Sequence, residues 1–65
     1  MTNADAIRKA VATGDARLAG QWADRMRAIG ATYNDCRDRA IKLTGCSAAD
    51  FEALMQEADE SEARE

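Results

Sequence analysis

Histidine and proline are both missing from this chain, and each absence closes off a class of answer. Without histidine there is no usual general base, no commonest zinc ligand and no Ser-His or Cys-His nucleophile. Without proline, no position loses its backbone donor and breaks a helix. Aromatic residues are reduced to Trp22, Tyr33 and Phe51, and the four glycines stand alone rather than forming a phosphate-cradling loop. No apolar run approaches the roughly 20 residues of a membrane span, and the first residues lack the basic-then-apolar pattern of a signal peptide. A soluble, cytoplasmic-type protein is the expectation.

Cysteine is nearly as scarce. Cys36 and Cys46 are ten residues apart, which along a helix at 1.5 Å per residue is about 15 Å. A disulfide needs Cα atoms within about 7 Å, so both thiols are expected to be free, as small buried hydrophobes. Two cysteines without histidine also fall short of a zinc site. Carboxylates are plentiful but gather on a tail with nothing to raise a pKa. No metal, cofactor or catalytic residue is therefore assigned, and the chain is not expected to be an enzyme.

What the chain does have is alanine, which makes up fifteen of its 65 residues. Helix is favoured almost throughout, and setting alanine aside leaves large side chains for one thin core. A chain this short hides only about 60% of the surface its unfolded form exposes, so marginal stability follows.

Glycine supplies the breaks. Gly14, Gly30 and Gly45 each follow helical spacing, as expected of residues that adopt positive φ past a helix end. Asp15, Thr32 and Ser47 then stand as N-caps. Thr32 with Asp35, and Ser47 with Asp50, have capping-box spacing, while Cys46 and Phe51 flank the last cap like a hydrophobic staple. Four helices are predicted over 3–13, 15–29, 32–44 and 47–60, forming a compact all-α bundle of two helical hairpins. Residues 1–60 form the expected single domain, with 61–65 an acidic, frayed tail. Asp15 and Ser47 are 32 residues apart, a faint echo of helical-hairpin repeats.

Each predicted helix is apolar on one side. Ala6, Ile7, Ala10 and Val11 line the first; Leu18, Trp22, Met26 and Ile29 the second. The third has Tyr33, Cys36, Ala40 and Leu43, and the fourth Phe51, Leu54, Met55 and Ala58. The second and fourth stripes exceed what the other two helices supply to cover them. Leu18, Trp22, Met26, Phe51 and Met55 are accordingly the candidate partner-binding residues, for a larger protein or a second copy of the chain. Methionine beside aromatics makes an adaptable surface, and tryptophan is enriched where interfaces gain most energy.

Charge is unevenly spread. Residues 1–49 carry eight basic and five acidic side chains, whereas 50–65 carry seven acidic and one basic. Such a body can bind an anion or fold its acidic end back on itself. Residues 15–44 can be read as a helix-turn-helix through Ile29-Gly30-Ala31-Thr32. Asn34 and Arg37 would then face base edges, while Arg17 and Arg25, with Arg27, Arg39 and Lys42, meet phosphates. Asp35 and Asp38 on the same helix oppose that reading, as does a pI near 4.8. By elimination the expectation is a small interaction module: a regulator, inhibitor or accessory subunit docking on a larger protein. Phages and mobile elements encode small acidic helical proteins of this sort, an analogy only. A nucleic-acid-binding regulator is the alternative.

Overall fold

The computed structural model describes residues 2–64, with side chains described through Glu62. Four helices make it up: α1 (Asn3–Thr13), α2 (Ala16–Ala28), α3 (Tyr33–Thr44) and α4 (Ala48–Arg64), with no strand among the described residues. Every expected start is met. Thr2 opens α1, its hydroxyl accepting from the Asp5 N–H at 3.2 Å. Asp15 opens α2 by accepting from the Leu18 N–H at 3.1 Å. Thr32 and Asp35 form the reciprocal box, at 3.2 Å and 3.0 Å. The Ser47 hydroxyl accepts from the Asp50 N–H at 3.1 Å. Each satisfies a donor that the helix itself leaves unpaired. The stops are equally local, since Gly14 and Gly45 take left-handed φ of 68° and 74° and close back on Ala10 and Ile41.

One boundary differs from the sequence reading. The fourth helix runs on to Arg64 instead of ending near 60. No glycine or proline stops it, and alanine and glutamate favour helix. Ser61 and Glu62 share a crevice with Arg17 and Gln21, which sets the acidic end of α4 beside the positive N-terminal end of α2. The radius of gyration is 10.6 Å, close to the roughly 11 Å of a compact globule this long.

The helices form a ring in which α1 and α4 each pack on both α2 and α3, and the α2–α4 pairing is the most extensive. Among the described residues, six of the eleven buried hydrophobics are alanine: Ala6, Ala10, Ala19, Ala23, Ala40 and Ala58. Alanine is therefore the main core residue by number, and it lets helix axes approach closely around a few large side chains. Those are Trp22, Phe51 and Ile7, all at most 1% exposed. Gly20 marks a close approach of α2 to α4, where an added Cβ would stand 3.0 Å from the Ala58 methyl.

Candidate functional site

The α2 stripe does not stay inside the bundle. Its middle is buried at Trp22, Met26 is half-buried, and Ile29 is 74% exposed. The turn that follows explains the change. Ile29 has φ −99° and ψ 13°, and Gly30 has φ 101°. The Gly30 N–H donates to the Arg27 carbonyl and the Ala31 N–H to the Met26 carbonyl, both at 3.0 Å. This is a Schellman closure, and it satisfies the last carbonyls of α2 while reversing the chain. No described residue after the reversal covers Ile29, which stays largely in solvent.

Beside it lies a groove of about 260 Å³ between three helix segments. Asn3 and Ala4 come from the first turn of α1, Trp22, Met26 and Ile29 from α2 and its cap, and Arg39 and Leu43 from α3. The Trp22 Nε1–H is buried without an acceptor among the described residues. A second crevice, lined by Met26, Ala31, Asp35, Asp38, Arg39 and Lys42, adjoins the first through Met26 and Arg39.

Charges around these two depressions are not equivalent. Asp35 is engaged in the Thr32 box, whose backbone N–H and then hydroxyl hold its carboxyl below the ordinary value. Asp38 lies 3.8 Å from Arg37 Nε. Arg27 pairs with Asp24 at 2.9 Å. Arg39 and Lys42 make no hydrogen bond or ion pair with any described residue. Three residues apart on one helix, they occupy neighbouring positions on its face.

The five sequence-chosen partner residues fall into two groups. Trp22, Phe51 and Met55 are buried in the chain's own core, with the Trp22 and Phe51 rings edge-to-face at 6.3 Å. Tyr33 tilts against Phe51 at 5.9 Å. The α2 and α4 stripes cover one another, so the excess expected from the sequence is used up within the bundle. Leu18 and Met26 stay half-buried, and of the five only Met26 lines the groove with Trp22. Ile29 is not among the five partner candidates that the sequence suggests. Its signal was present: Ile29 is the last stripe residue before a helix-stopping glycine.

The nucleic-acid candidates do not converge either. Asn34 is exposed on the first turn of α3. Arg37 is only 30% exposed and leans towards α4, with its Nη1 3.9 Å from Glu52 Oε1. Arg25 is exposed near the end of α2, whereas Arg17 sits beside Ser61 and Glu62 at the start. Eight helical residues, about 12 Å, separate those two.

Both cysteines are free. Cys36 is 1% exposed, and burial pushes its thiol above the ordinary value, with Arg27 opposing. That makes it a packing residue rather than a nucleophile. Among the described residues no three Cys, Asp or Glu side chains gather closely enough to hold a metal ion. No described helix is long and apolar enough to cross a membrane. Comparison with known proteins finds no matching family model, no matching curated protein and no matching solved structure.

Proposed function

We propose that this chain is a small helical interaction module, a regulator, inhibitor or accessory subunit that docks on a larger protein through the Ile29 end of its bundle. The single observation that supports this is the exposure of Ile29 at 74% beside an open groove floored by core residues. A thin-cored domain gains little by leaving a large aliphatic side chain in water, whereas an interface would bury it. Methionine, arginine and an aromatic around the groove match the composition of interface centres. The nucleic-acid alternative has less support, because Arg37 is drawn to Glu52 and the four candidate readers and clamps are spread over the molecule.

A photo-crosslinking residue at position 29, expressed in the cells that make the protein, tests this. Position 60, at the other end of the α2–α4 pair, serves as control. The expected result is one discrete adduct from position 29, with a mass well above two copies of the chain, and none from position 60. Adducts of equal yield from both positions, or only a dimer of this chain, overturn it.

A further inference from the structure

We draw no further inference here: the strongest candidate, the groove of about 260 Å³ between the first turn of α1, the end of α2 and α3 with Ile29 exposed at its edge, belongs to the site already described, and nothing in the structure shows what covers it.

Discussion

The two ends of α2 carry the same kind of sequence and meet opposite fates. Towards its start and middle, Ala19, Trp22 and Ala23 are sealed, and Gly20 comes close to Ala58 of α4. Towards its end, the same stripe emerges through half-buried Met26 to exposed Ile29. Helical periodicity marks which residues share a face, but burial depends on what lies opposite. At the start of α2 that is a seventeen-residue helix; at the end it is a turn. A domain with little core to spare thus seals one end of α2 and leaves a large aliphatic side chain in water at the other.

The strongest way to break this comparison is at Trp22. If the sealed end carries the fold, Trp22→Ala should cost about 3–5 kcal/mol. That equals the whole stability a core this small ordinarily supplies, so the variant should be unfolded by circular dichroism at 25 °C. Trp22→Phe should lose much less, because the ring can still pack on Phe51 and the indole N–H has no acceptor to forfeit. Equal losses from Ala and Phe would mean that the indole nitrogen, not ring burial, holds the site.

Next in size is the close approach of α2 to α4. Gly20→Val places branched carbon where a single Cβ already stands 3.0 Å from Ala58. Overpacking of this kind costs about 1–3 kcal/mol, read as a lower urea midpoint at unchanged slope. Gly20→Ala tests it more finely. In an open helix it would gain about 1 kcal/mol, and here that gain should vanish. A clear rise in stability for Gly20→Ala would show that α4 can move away freely.

These two positions also mark what the sequence made legible. Thr32 and Asp35, Asp15, Ser47 and the glycine stops act within a few residues of themselves, so helix number and nearly every boundary were readable. The end of α4 was missed because its extension depends on favourable company across the bundle, where Arg17 and Gln21 line a crevice with Ser61 and Glu62. The core was readable as stripes but not as a packing scheme. Alanine looked like filler, yet it forms much of the interior because the helices come close enough to bury it. Trp22 and Phe51 looked like surplus because no one-dimensional pattern says that they face each other. Ile29 stands in the sequence as one more stripe residue, since exposure is a property of the turn after it and of the space beyond.

A smaller effect is expected at the cap of α3. Thr32→Ala removes the acceptor for the Asp35 N–H and should cost about 1 kcal/mol in thermal or urea unfolding. Asp35 adds a pH signature. Its folded carboxyl titrates below the ordinary value because Thr32 donates to the charged form. The stabilisation it gives is therefore complete above the unfolded carboxylate's pKa and is lost as pH falls through the lowered folded value. The stability gap between the wild type and Asp35→Asn should accordingly be widest near neutrality and close in acid. A gap that stays constant from pH 7 into the acid range would mean that the carboxylate's charge contributes nothing to the cap.

The smallest effect is expected at Ile29, and its smallness matters most to the comparison. Ile29→Ser removes a side chain that is 74% exposed and follows the last helical residue of α2. The two hydrogen bonds that close the turn are made by the backbone of Gly30 and Ala31, so the substitution leaves them in place. Little apolar area leaves a buried environment, and surface changes of this sort ordinarily stay within about 0.5 kcal/mol. The urea midpoint should therefore match the wild type, while docking on the proposed partner falls. A residue held in place for the fold would behave the other way, lowering the midpoint before any partner is added. If Ile29→Ser costs more than about 1 kcal/mol in the isolated chain, then Ile29 packs within the fold, and the open end of α2 is no surface apart from the core.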